Sequence, residues 1–131
     1  TLKLEPNYAR THRSLGTVLL RLGEKEEALI HLRKSLELNP TDAITHNELG
    51  TVLFSQSNWA EAEVRFAEAI RLNPRFAEAH NNLGAVYSRQ GKLQEAVQRY
   101  AQAIKLKPDY PDARNNLRAA LARLEQNKPK K

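Results

Sequence analysis

The sequence predicts an all-α fold built as a repeat array, an α-solenoid rather than a closed bundle. Three observations predict it. Four prolines, Pro6, Pro40, Pro74 and Pro108, stand 34 residues apart without slippage. The block His12-Arg13-Ser14-Leu15-Gly16 returns as His46-Asn47-Glu48-Leu49-Gly50 and again as His80-Asn81-Asn82-Leu83-Gly84. Behind each block comes a small residue, a large apolar one and a small one: Ala28, Leu32, Ser35, then Ala62, Phe66, Ala69, then Ala96, Tyr100, Ala103. A fixed period of this length marks helix pairs that cannot bury their apolar faces alone and so stack on neighbours.

Each element follows in order. Residues 1–8 match the end of a repeat, so they read as the remnant of a preceding unit, and the natural chain is expected to continue upstream. The first repeat, 9–42, is expected to hold helices near 9–22 and 25–38, with Gly23 in the turn. Asn39-Pro40 ends it, because the residue before a proline is pushed out of the α region. The second, 43–76, is expected to hold helices near 43–56 and 59–72, turning at Ser57-Asn58. The third, 77–110, pairs 77–90 with 93–106 around Gly91. Glu24, Asp42 and Asp109 lie at or near helix starts, where negative charge suits the helix dipole.

Residues 111–126 copy a first helix and then stop. The Leu-Gly of each repeat becomes Leu117-Arg118 there. The glycines let the second helix approach opposite Ala28, Ala62 or Ala96, and a long side chain in such a contact costs roughly 1–3 kcal/mol. With no second helix following, Arg118 is free to face water. The segment is therefore a capping helix, with Leu117, Leu121 and Leu124 expected inward and Arg114, Arg118 and Arg123 outward. Residues 127–131 form a basic tail.

Composition bounds the function. The 131 residues carry a formal net charge of +6 and 40% hydrophobic residues, enough for a solenoid. Basic charge alone is weak evidence for a partner class. Single-strand nucleic-acid binding needs aromatic stacking platforms, and only 6% of the chain is aromatic, mostly in core slots, so no nucleic-acid partner is expected. No apolar run approaches the ~20 residues of a membrane span, so no membrane insertion is expected. Without cysteine there is no disulfide or thiolate chemistry, and the compartment stays open. The hydroxyls of Ser14, Thr17 and Thr51 have no general base at readable spacing, and no glycine-rich phosphate loop occurs. No enzyme and no cofactor are expected. His12, His46 and His80 recur too far apart to share a metal ion, since stacked helices lie about 8–10 Å apart. They are read as packing residues, and no metal site is expected.

The joint spacing His/Arg-x2-Leu-Gly-x2-Leu/Tyr, Ala-x3-Phe/Tyr/Leu and closing proline resembles the tetratricopeptide repeat, over three full repeats and a cap. The resemblance implies a right-handed α-solenoid whose first helices line a concave face that takes peptides or extended protein segments. Side chains three and four apart share a helix face, which puts Arg10, Arg13, Thr17 and Arg21 on that face in the first repeat. Asn47, Glu48, Thr51 and Phe54 follow in the second, and Glu78, Asn81, Asn82 and Arg89 in the third. The cap adds Asn115, Asn116 and Arg123. An asparagine amide both donates and accepts, so a ladder of them can pair with a peptide backbone of any sequence. Phe54, Leu20 and Ile44 are apolar anchor candidates, whereas Trp59 is read as a staple of its turn.

The two-carboxylate clamp of chaperone-binding members of the family fits poorly. Arg13 falls on a lysine slot, but Thr17 and Glu48 fall on asparagine slots and Glu78 on a lysine slot. Shifting the register by one repeat puts Asp112 on a basic slot. Tail binding of that kind is not expected. The groove instead runs from basic (Arg10, Arg13, Arg21) to mixed (Glu48, Glu78, Asp112), which would place a ligand's acidic residues toward the first repeat. Two alternatives stand beside a protein or peptide partner. One is self-association as a homo-oligomer through Leu15, Val18 and Leu22, expected to be incompletely covered. The other is a substrate-recruiting appendage of an enzyme such as a glycosyltransferase.

Overall fold

The computed structural model describes residues 5–129, with side chains placed from residue 8 onward. Residues 1–4 of the expected remnant, and Lys130 and Lys131 of the tail, lie outside the described residues. Seven α-helices and no strand occur among the described residues. They are α1 (Glu5–Arg21), α2 (Lys25–Leu38), α3 (Ala43–Ser55), α4 (Trp59–Leu72), α5 (Ala77–Arg89), α6 (Leu93–Leu106) and α7 (Pro111–Gln126). The α1 start falls earlier than the expected 9. Pro6 lies in its first turn, where a proline forfeits no intrahelical hydrogen bond.

The chain divides between Asn73 and Pro74 into two compact units. The first packs α1 on α2, α2 on α3 and α3 on α4. Its core is built from Ala28, Leu32, Leu49, Val52, Leu53, Ala62 and Phe66, each no more than 1% exposed. Ser35 takes the slot held by alanine in the later repeats, and its buried hydroxyl donates to the Ala9 carbonyl at 2.7 Å. The second unit packs α5 on α6 and α6 on α7. Here Ala96, Tyr100 and Ala120 form a buried cluster flanked by Tyr87, Val97 and Leu117.

The helix-borne glycines are contact points. A Cβ on Gly16, Gly50 or Gly84 would stand 2.6–2.7 Å from the side chain of Leu32, Phe66 or Tyr100 respectively. The expected neighbour was the alanine four residues earlier, but what covers each glycine is the large apolar side chain. Ala28 and Ala96 come near only through their carbonyls, at 3.4 and 3.2 Å.

All three intra-repeat turns close alike. Glu24 N–H bonds Leu19 O at 2.8 Å, Asn58 N–H bonds Leu53 O at 2.9 Å, and Lys92 N–H bonds Tyr87 O at 2.8 Å. This six-to-one closure needs a left-handed residue just before it. Gly23 and Gly91 supply it at φ +82° and +79°, whereas Ser57 holds φ +62° with a side chain. A non-glycine residue pays roughly 1–2 kcal/mol for that conformation. Ser57→Gly is therefore expected to raise stability by about 1 kcal/mol after the entropy glycine adds to the unfolded chain. A urea midpoint unchanged or lowered would contradict this.

In α7 the inward stripe is Ala113, Leu117, Ala120 and Leu124, with the alanines at 0% and 2% exposure. Leu121, expected inward, is 49% exposed and is corrected here. Alanines allow close approach to α6, which turns Leu121 to the flank. Arg114, Arg118 and Arg123 are exposed as expected.

Candidate functional site

The histidines at the repeat interval hold the loops that precede their own helices. His46 Nε2–H donates to Pro40 O at 2.9 Å and His80 Nε2–H to Pro74 O at 3.0 Å. Arg114 occupies the same slot in α7 and donates to Pro108 O at 2.7 Å. Among the described residues no group of three or more potential metal ligands converges. His80 is buried, and its Nδ1 accepts from Arg99 Nη1 at 3.2 Å. Burial holds this imidazole below its ordinary value of 6.5, Arg99 adds to the effect, and the Pro74 hydrogen bond opposes it.

The native ring therefore takes up its proton at lower pH than the unfolded one. The stability it lends is complete above about pH 6.5 and is lost as pH falls from there through the depressed native value. Urea midpoints at pH 7.5 and 5.5 are expected to differ less in His80→Gln than in the parent chain. An equal or larger fall in the variant would contradict this.

In the first unit, α1 and α3 bring Arg13, Arg21 and Glu48 together. Burial raises the Glu48 carboxyl above its ordinary value, and the charges of Arg21 and Arg13 pull it back only partly. Arg13 Nη1 reaches Asp42 Oδ2 at 2.9 Å. Asp42 caps α3 by accepting from Ile44 N–H at 3.1 Å and Thr45 Oγ1–H at 2.8 Å. Arg13, the second of the three arginines of the expected basic end, is thus tied to the start of α3. Arg10 and Arg21 are exposed, and Arg10 and Arg13 border a cavity of about 480 Å³ with Ile44 on its wall. Thr17 and Thr51 return their hydroxyls to the backbone carbonyls four residues earlier, at 3.0 and 2.9 Å. Asn47 is 9% exposed. Phe54 packs edge-on against Trp59, ring centroids 4.9 Å apart, so the aromatic pair closes its turn.

In the second unit, α5 and α7 meet along polar side chains. Asn116 Nδ2–H donates to Asn81 Oδ1 at 3.0 Å, and Arg123 Nη1–H donates to Ser88 Oγ at 3.0 Å. Asn81 is 7% exposed and also hydrogen-bonds Tyr110, whose hydroxyl is pushed up chiefly by burial. Glu78 is held by Lys107 at 3.2 Å, and the same ammonium lies 4.7 Å from the centre of the Tyr110 ring. Ser88 is also hydrogen-bonded to Tyr100, tying the face to the core. Asn82 and Asn116 are half-buried, whereas Asn115 and Arg89 are exposed. Lys107, Tyr110 and Arg99 were missed in the sequence. The recurrence of His31, Arg65 and Arg99 at the repeat interval was the one signal that pointed to the last.

The tetratricopeptide repeat matches residues 9–42 and 47–111. The chain belongs to the tetratricopeptide repeat family. No curated protein matches it. Solved structures agree on the fold. The first TPR of Spaghetti (RPAP3), bound to an HSP90 peptide, is 24% identical with a TM-score of 0.88, covering 91% of this chain and 94% of that one. The first TPR domain of human RPAP3 is 26% identical with a TM-score of 0.86, covering 94% and 99%. YrrB, a TPR protein with an unusual peptide-binding site, is 29% identical with a TM-score of 0.76, covering 82% of this chain and 55% of that one. The α-solenoid fold class expected from the period is the one that TPR proteins share. Among the described residues no helix is long and apolar enough to cross a membrane.

Proposed function

We propose that this TPR chain is a non-enzymatic protein-interaction module that binds a peptide or extended protein segment along its first helices. The supporting observation is that α1 with α3, and α5 with α7, each present a shared polar face. On the second of these, Asn116 joins Asn81 and Arg123 joins Ser88 across helices. The half-buried and exposed amides of Asn82, Asn115 and Asn116 are the groups that would meet a peptide backbone. The more enclosed Asn81 supports Asn116 from behind through their hydrogen bond. Peptide binding by structurally similar TPR domains is consistent with this reading.

Ligand polarity follows from charge. Arg10 and Arg21 are exposed, and Arg13 is partly answered by Asp42, so the free positive field lies at the α1 end. An extended peptide with acidic residues would set them there. Arg10→Glu with Arg21→Glu is expected to weaken such a peptide by roughly tenfold or more, the scale of one or two charge contacts. Calorimetric titration of an acid-rich peptide against both chains reads this, and equal affinities would overturn the polarity.

Self-association is a second reading favoured by one observation. Leu15, Val18 and Leu22 on α1 are 43%, 50% and 69% exposed, while Leu49 and Val52, in the slots of the first two on α3, are fully buried. Such a face invites another helix. Sedimentation over a concentration range decides it, since a monomer at high concentration removes this reading.

A further inference from the structure

Along α1 and into its turn, Tyr8, Thr11, Leu15, Val18 and Leu22 follow one another at steps of three, four, three and four residues. Leu22 keeps the helical pattern, since its N–H bonds Val18 O at 3.0 Å. That spacing is the seam of a two-stranded coiled coil, in which each side chain enters a hole on a facing helix. None of these side chains is charged, and all are exposed, Tyr8 at 54% and Leu22 at 69%. The equivalents of the middle three on α3, Thr45, Leu49 and Val52, are fully buried. At about 100° per residue the seam lies roughly 135° around α1 from Arg10, Arg13, Thr17 and Arg21. It is a surface apart from the peptide face.

Side-chain size says what fits against it. Leu15 and Leu22 alternate with the smaller, β-branched Thr11 and Val18. An antiparallel copy centred midway between Leu15 and Val18 sets each leucine against a smaller residue. Leu15 meets Val18 of the second copy, and Leu22 meets its Thr11. Facing positions that alternate large and small interdigitate without voids. A parallel copy would set like against like, in two wide layers and two narrow ones.

Charge selects the same sense. In a parallel pair the exposed Arg10 and Arg21 would each stand beside their own copies, at the roughly 8–10 Å of packed helices. Antiparallel pairing moves the two Arg21 side chains about 14 Å apart along the axis and the two Arg10 about 20 Å, at 1.5 Å per residue. Both exceed the Debye length of about 8 Å at physiological salt. The helix dipoles then also oppose one another.

Building on the self-association reading above, we infer that the chain pairs with a second copy of itself through an antiparallel α1–α1 seam. The dimer leaves both peptide faces open, so a ligand with two binding segments can engage both at once.

Sedimentation equilibrium from about 10 μM to 1 mM is expected to show monomer and dimer in exchange, because four side-chain layers make an interface at the weak end of the specific range. Leu15→Arg with Val18→Arg is expected to stay monomeric throughout, with helix content by circular dichroism unchanged, since the sites are 43% and 50% exposed. The chain has no cysteine, so introduced thiols report the pairing sense. Mild oxidation of a mixture of Thr11→Cys and Leu22→Cys chains is expected to give mainly the mixed disulfide. Leu22→Cys alone is expected to cross-link little, its copies lying about 17 Å apart where a disulfide needs Cα atoms within about 7 Å. Should the arginine variant not fold, the cysteine variants still decide. Efficient cross-linking of Leu22→Cys alone, no mixed disulfide, or a dimer untouched by the two arginines would each overturn the antiparallel seam while leaving self-association standing. A parent chain that is monomeric at about 1 mM overturns both.

Discussion

Phe66→Ala is expected to lower stability by about 3–5 kcal/mol, the upper range for large-to-small core changes. Phe66 is 1% exposed and its ring covers Gly50 so closely that a Cβ there would lie 2.6 Å from it. Removing the ring forfeits its transfer free energy and leaves a void beside a residue with no side chain to fill it. The backbone of α3 cannot fall inward without breaking its own ladder, so relaxation is limited. Chemical denaturation reads the loss directly. A change under about 1.5 kcal/mol, the scale of a well-tolerated swap, would mean that the α3–α4 contact is not the tight one described. Gly50→Ala should also cost less in the Phe66→Ala background than alone, since neighbours in contact are not additive.

The second large effect is overpacking in the other unit. Gly84→Val is expected to cost about 2–3 kcal/mol, even after a gain of a few tenths from better helix propensity. The first added carbon would already stand 2.7 Å from the Tyr100 ring and 3.2 Å from the Ala96 carbonyl. Tyr100 is 3% exposed, clustered with Ala96 and Ala120 and hydrogen-bonded to Ser88, so it has nowhere to move. Trimming the ring in Gly84→Val/Tyr100→Ala should make the double variant less unstable than the sum of the singles. Strict additivity by denaturation would contradict the contact.

Most of the fold was legible because a translation by 34 residues repeats every constraint at once. From α2 onward the helix bounds fall within one residue of those expected, since prolines and left-handed turn residues fix them chemically. What escaped was the pairing of side chains between helices. Periodicity shows which face Asn81 and Asn116 share, but their bond depends on the crossing geometry of α5 and α7. The same holds for His46 and Arg65, which do not pair as His80 and Arg99 do, Arg65 lying instead 3.8 Å from Glu61. Leu121 misled because leucine outweighs alanine in any hydrophobic pattern, whereas close helix packing selects the alanine beside it. The polar face was legible as a list of residues. Its division into half-enclosed and exposed amides was not, because burial depends on neighbouring repeats that a single helix pattern does not contain.

The claim that the first helices form the binding face is tested most directly by side-chain amide and guanidinium NMR during titration with an acid-rich extended peptide. The account predicts that shifts concentrate on Asn82, Asn115 and Asn116 and on Arg10 and Arg21. Shifts confined to the second helices, at Arg65 and Arg99, with those groups unmoved, would contradict it.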